Sequence, residues 1–202
     1  MVIALIGSVV LWRGLPSPWS PARGTGVIVH RVLDGDTVLL TDGRIIRYNA
    51  IDTPERGEPF YSEARNYNSR LVAGRVVELE FDLDRHDGKR LLAYVYVRRS
   101  ARRVFVNGEL VAQGLARVYL HPPNLRYAPL LIDLQTKARK ARKGIWSRYR
   151  PTKPVIGNRR TLAFHRLTCP FAKTMSRRNR VPFADSNQAL DRGFHPCRSC
   201  RP

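Results

Sequence analysis

A chain of 202 residues with 43% hydrophobic and 9% aromatic content holds enough apolar material for one or two folded domains, which excludes the disordered class. Its 36 Lys and Arg against 16 Asp and Glu give a formal charge of +20. That excess draws polyanions, nucleic acid before anionic membrane, but basic proteins often only bind, so charge does not imply catalysis. Three cysteines, Cys169, Cys197 and Cys200, fall in the last quarter of the chain. An odd number cannot pair fully within one chain, which favours a metal site over a disulfide framework.

In chain order, Met1 to Trp12 is an apolar run followed by a Pro/Ser/Gly stretch over 14–26. The run is too short to span a bilayer as it stands. It reads as a signal-peptide core or short anchor, or as a buried strand or helix start, and no A-x-A cleavage site follows it. Residues 26–33 and 36–40 are apolar, β-branched runs about Asp34-Gly35, a tight-turn pair. A third strand is expected over 44–51 after the Asp42-Gly43 turn. A helix over 58–73 is closed by Gly74, strands follow over 75–81 and 91–97, and a polar loop over 82–90 joins them. A short helix over 107–114 and a longer basic one over 125–143 complete the set, ended by Gly114 and Gly144. Five strands with interposed and trailing helices predict an α+β fold built on a small closed barrel of the OB type.

The scarce acids are grouped. Asp34 and Asp36 stand in DGDT, Asp52 and Glu55 in DTPE, and the two groups bracket a pair of strands. Asp36 begins one strand and Asp52 ends the next, so a hairpin can bring them together. Converging carboxylates repel unless a cation lies between them, and oxygen-only ligands suit Ca²⁺ or Mg²⁺. The Thr53 carbonyl offers a further oxygen. Phosphodiester hydrolysis needs an oriented, deprotonated water and an offset for charge on the phosphoryl oxygens. Glu55 suits the first task, Arg47 and Arg90 the second, because a guanidinium fork matches two phosphate oxygens. Taken singly, each of these residues is more often structural.

The segments VLDGDTVLL, RIIRYNAIDTPE, GKRLLAYVYV, VNGELVAQGLARV and KARKGIWS resemble the successive motifs of the staphylococcal nuclease family, in order and at workable spacing. The resemblance implies an OB-fold barrel with three helices and a Ca²⁺-dependent endonuclease acting on DNA and RNA to leave 3′-phosphates. It also implies Asp36, Asp52 and the Thr53 carbonyl as calcium ligands, with Asp34 in an outer shell. Arg47, Glu55 and Arg90 resemble the phosphate clamp and catalytic carboxylate. Where a Lys-Tyr pair precedes the second arginine in the best-known member, this chain has Asp87-Gly88-Lys89. Lys89 and Tyr119 are carried over as nucleotide contacts. The alternative is a non-catalytic nucleic-acid-binding protein of the same fold.

Composition shifts after Trp146 to a Pro, Arg and Lys-rich stretch, expected to be a linker over 148–161. The last segment, 162–202, is about 40 residues long, a size that rarely folds without a staple. His165-x₃-Cys169 and Cys197-x₂-Cys200 are two chelating pairs at spacing suited to tetrahedral Zn²⁺. His195 is the other candidate for the fourth ligand, and a Cys197–Cys200 disulfide is the alternative in an oxidising compartment. FHRLTCPFAK and ALDRGFHPCRSCRP resemble the zinc domain of Ada-type repair proteins. That domain has four cysteines, and His165 replaces the methyl acceptor, so structural zinc rather than methyl transfer is implied. Arg177, Arg178 and Arg180 between the ligand pairs suit a phosphate grip. The expected organisation is a leader over 1–26, a barrel over 27–147, a linker over 148–161 and a zinc module over 162–202. The expected protein is a monomer acting on DNA or RNA, secreted, periplasmic or membrane-anchored.

Overall fold

A computed structural model describes residues 26–100 and 102–202. The leader expected over 1–26 lies outside the described residues, Gly26 excepted. Among the described residues no helix is long and apolar enough to cross a membrane.

The barrel begins with β1 (Val27–Val32), β2 (Thr37–Leu40) and β3 (Ile45–Tyr48), an antiparallel meander through the two Asp-Gly turns. Between β1 and β2 the backbone of Gly35 lies against Thr53, so a Cβ there would stand 2.6 Å from Thr53 Oγ1. Glycine is needed for this close approach, which pins the DGDT turn to the DTPE segment. The third strand stops at Tyr48 rather than at residue 51, because Ala50 takes a left-handed backbone with φ 64°. After that break Ile51 and Asp52 form β4 (Ile51–Asp52), a separate strand.

Helix α1 (Tyr61–Val72) starts three residues later than expected, since left-handed Phe60, with φ 70°, cannot extend it backwards. Then come β5 (Val76–Glu80), the short β6 (His86–Asp87) and the long β7 (Arg90–Arg99). Strand β7 pairs with β5 on one side and runs parallel to β3 on the other, which closes the five-stranded barrel β3-β2-β1-β5-β7. The hairpin strand β8 (Arg102–Phe105) extends the sheet, and α2 (Val106–Ala112) follows directly. Strand β9 (Arg117–Val118) pairs antiparallel with β4, placing Arg117 opposite Asp52. Helix α3 (Ala128–Lys140), with proline in its first turn, and a 3₁₀ turn over Gly144–Ser147 end the domain.

Val29, Val38, Ile46, Tyr48, Tyr94 and Leu110 are among the buried side chains that fill the barrel. Three buried amides tie helices to strand ends. Asn68 on α1 accepts from the Tyr48 hydroxyl at 2.9 Å and donates to the Asp34 carbonyl at 3.3 Å. Asn107 on α2 accepts from the Val95 N–H and donates to the Asn49 carbonyl, both at 2.9 Å. Gln135 on α3 accepts from the Val118 N–H at 2.8 Å. Backbone groups left unpaired where strands break are thus satisfied from the helices. Those breaks are where the acidic segments sit.

The expected linker over 148–161 holds β10 (Val155–Asn158), the central strand of a second sheet with β11 (Ala163–Arg166), β12 (Arg180–Phe183) and β13 (His195–Pro196). Strand β10 was hidden by the prolines and arginines around it, and only Val155 and Gly157 of its residues are buried. Helices α4 (Pro170–Lys173) and α5 (Ser186–Asp191) complete this module. Its core of Val155, Phe164, Val181, Phe183 and Phe194 is continuous with Ala138 and Trp146 of the first domain.

Candidate active site and metal centre

The local folding of DGDT and DTPE converges on Asp36. Its side chain is buried and accepts from the Thr37 hydroxyl and the Thr53 N–H, each at 3.0 Å. Arg47, on β3, donates from Nη1 to Asp36 Oδ1 at 2.5 Å and from Nη2 to Asp52 Oδ1 at 3.1 Å. One guanidinium therefore spans both carboxylates. Burial pushes the Asp36 carboxyl up to about 6, and Arg47 only partly offsets this. The neighbouring charges of Asp34 and Asp52 push the same way. A second cation beside these acids would relieve that strain. Two carboxylates supply only part of a Ca²⁺ shell, so carbonyl and water oxygens would have to complete it, as hard cations accept.

Asp36, Arg47, Thr53, Glu55, Arg90 and Tyr119 all line one cavity of about 340 Å³. Glu55 is exposed, and its N–H donates to Glu58 Oε2 at 3.0 Å, which fixes the backbone. Its carboxylate forms no ion pair among the described residues, leaving it available to a water. Arg90 pairs with Asp87, and that carboxylate also lies 4.0 Å from Arg47 Nε. Asp87 thus sits between the two arginines, where a phosphate would be gripped. Its signal in the sequence is the Gly88-Lys89 turn, since a two-residue hairpin sets Asp87 directly across from Arg90. Lys89 is exposed at that turn. Tyr119 is held over the cavity by its N–H, which donates to the Ala50 carbonyl at 2.9 Å.

In the second module His165, Cys169, Cys197 and Cys200 bring their ligand atoms within 4.8 Å of one another, the only such group found among the described residues. Cys169 Sγ and His165 Nδ1 are 3.5 Å apart, about the separation that N and S ligands take on tetrahedral zinc. Burial lowers the His165 imidazole, favouring the neutral form a metal requires. Burial raises the Cys169 thiol, but the Phe171 N–H, the Cys200 thiol and the Ala172 N–H together outweigh it and lower it overall. The donor set and spacing fit zinc. All three cysteines are free thiols. His195 stands outside the cluster, with Nε2 3.2 Å from the Thr161 carbonyl, and burial pushes it down to about 4.

The basic residues between the ligand pairs divide. Arg177 and Arg178 are exposed on a short 3₁₀ turn, Arg177–Asn179. The Arg180 guanidinium donates to the carbonyls of Met175, Ala172 and Lys173, so it caps α4. Arg198 was not anticipated. It lies between Cys197 and Cys200, and its Nη2 reaches back to Asp52 Oδ1 at 2.7 Å.

Closed barrel, acid-and-arginine cavity and Cys₃His module together define a two-part OB-fold protein of the nuclease type. Residues 45–148 match the family described as staphylococcal nuclease homologue, and residues 147–202 match the metal binding domain of Ada. A thermonuclease from Staphylococcus intermedius is 34% identical over 136 residues, covering 62% of this chain and 79% of the relative. An uncharacterized endonuclease of Escherichia coli O157:H7 is 35% identical over 136 residues, or 65% of this chain and 84% of its own. A micrococcal nuclease of Shigella flexneri is 30% identical over 154 residues, 71% of this chain and 84% of its own. The chain belongs to the staphylococcal nuclease family.

Proposed function

We propose that the chain is a calcium-dependent endonuclease that hydrolyses phosphodiester bonds in DNA, RNA or both. The observation that carries this reading is the meeting of buried Asp36, the Arg47 bridge to Asp52, Arg90 and exposed Glu55 around one cavity. Asp36, Asp52 and the Thr53 carbonyl would hold the ion. When bound, calcium supplies positive charge at the phosphoryl oxygens and fixes the substrate's position. Glu55 accepts the proton of the attacking water; as the new P–O bond forms, the bond to the leaving sugar oxygen breaks and that oxygen takes a proton from solvent. Arg47 and Arg90 donate to the non-bridging oxygens as charge builds there, with the carboxylate of Asp87 giving way to the phosphate. Lys89 and Tyr119 add strand and base contacts, and Arg177 and Arg178 grip phosphates farther along. The protein acts as a monomer. Its apolar residues 1–12 direct export or membrane anchoring, which fractionation of the expressed full chain would test.

Plasmid DNA and RNA digestion in the presence of Ca²⁺ or a chelator tests the activity. Cleavage that depends on Ca²⁺ supports the reading. Nucleic-acid binding with no cleavage under any Ca²⁺ concentration would leave a binding protein of the same fold.

A further inference from the structure

The cysteine turn of the second module enters the cavity of the first. Arg198 donates to Asp52 Oδ1, the same oxygen that accepts from Arg47 Nη2. Its guanidinium carbon lies 5.3 Å from the centroid of the Tyr119 ring, and His195 packs on that ring at 4.0 Å. Two residues of the site, Asp52 and Tyr119, therefore touch the zinc module directly. Nearby, Arg201 pairs with Glu58 at 3.5 Å.

Placement is not imposed by burial. The Arg198 side chain is 63% exposed, so an incoming anion can reach it. Among the described residues, Asp52 is its one hydrogen-bonding partner, and the rest of its five-donor fork is uncommitted. The residue lines both the 340 Å³ cavity and an adjoining cleft of about 540 Å³ between the modules. That cleft is walled by Arg117, Arg148, Arg201, Phe60 and Tyr149, with the carboxylates of Asp52, Glu55 and Glu58 on its barrel side, so its arginines and aromatic rings offer phosphate and base contacts to a single strand. Arg47 and Arg90 serve the cavity from the barrel side; Arg198 stands where the cavity opens into the cleft.

The backbone beneath it is fixed from both ends. Cys197 and Cys200 belong to the metal-competent cluster, so zinc would clamp the turn that carries Arg198. On the barrel side, Gly193 lies so close to Ile132 and Leu120 that a Cβ would stand 2.9 Å from each. The module is seated rather than tethered.

We propose that Arg198 is a third phosphate-contacting arginine of the nuclease site, held by the zinc-bound turn and gripping the strand where it passes from cleft to cavity. This rests on the nuclease reading above and changes the module's role from a remote grip to one wall of the site.

The test uses the full, zinc-loaded chain in a Glu55→Gln background. Binding of a fluorescent single-stranded hexanucleotide is followed by anisotropy over a range of salt. Arg198→Ala is expected to weaken binding about tenfold. It should also reduce the slope of log K against log salt by about 0.7, the share of one lost phosphate contact on single strands. A purely structural arginine would not move that slope, and Arg198→Lys should restore it. Cys200→Ser should reproduce the Arg198→Ala loss, and the double variant should lose no more than either alone. If circular dichroism shows Cys200→Ser unfolded, the Ala and Lys variants decide. Unchanged affinity and slope in Arg198→Ala would overturn the proposal. So would tighter binding, which would make Arg198 a plug on Asp52. Because binding is read without turnover, a failure of wild-type cleavage would count against the nuclease reading and leave this result standing.

Discussion

Arg139 of α3 and Asp191 at the end of α5 join the two modules through a 2.5 Å ion pair, with the arginine side chain only 9% exposed. The same guanidinium donates to Asn187 Oδ1 at 2.9 Å, and the Thr136 hydroxyl donates to Asp191 at 3.0 Å. These bonds flank the apolar contact of Ala138 and Trp146 with Val155 and Phe164. Barrel and zinc module should therefore unfold in one cooperative transition, seen together by calorimetry and circular dichroism. Asp191→Ala should lower stability by about 1 kcal/mol, since the carboxylate is half exposed. Two separated transitions in the wild type would show that the modules fold independently.

The contact between Gly35 and Thr53 makes a second prediction. An alanine at 35 would press on Thr53, whose N–H supports Asp36. Overpacking of this kind costs about 1–3 kcal/mol, and moving Thr53 would loosen Asp36 as well. Gly35→Ala should thus lower both the melting temperature and Ca²⁺ affinity, while Gly35→Ala with Thr53→Gly should recover stability. A fully stable Gly35→Ala with wild-type Ca²⁺ affinity would contradict the account.

Asp36 gives the pH dependence. Its carboxyl is raised by burial to about 6, from 3.8 in an open chain. The folded state therefore holds the proton more tightly than the unfolded state. The stability this gives is complete below about 3.8 and is lost as pH rises through about 6. On the proposed calcium reading the ion displaces this proton, so a rise in melting temperature produced by Ca²⁺ should grow between pH 5 and pH 7. A rise that stays constant over that range would remove Asp36 from the ion's shell.

How much of the fold and site is legible in the sequence follows from where the interactions lie along the chain. Asp34, Asp36, Asp52, Glu55 and Arg47 were visible because their two motifs flank one hairpin, and the barrel's strands carry regular apolar patterns. The break at Ala50 was not visible, since a left-handed alanine has no local signature. Strand β10 was missed because its partners, β11 and β12, come later in the chain and its flanks are rich in proline and arginine. Arg198 and Asp52 are 146 positions apart, and no periodicity reports a contact at that range. His165 could be preferred over His195 on spacing, but only the fold shows His195 turned toward Thr161 and Tyr119.

Zinc content offers an independent check of the second module. Loaded protein should release a single zinc ion when its thiols are blocked with a mercurial. Cys169→Ala should bind zinc far more weakly and lose the melting temperature that zinc confers. Burial pushes the Cys200 thiol up to about 11, so the metal must displace its proton and zinc affinity should rise with pH. Wild-type zinc affinity in Cys169→Ala would place the ion elsewhere.

The central claim concerns Glu55, and cleavage by wild type and Glu55→Gln, each with Ca²⁺ and with chelator, tests it most directly. The account predicts Ca²⁺-dependent cleavage by the wild type and a loss of at least about a hundredfold in Glu55→Gln, with oligonucleotide affinity retained. Glu55→Gln cleaving at the wild-type rate would contradict it.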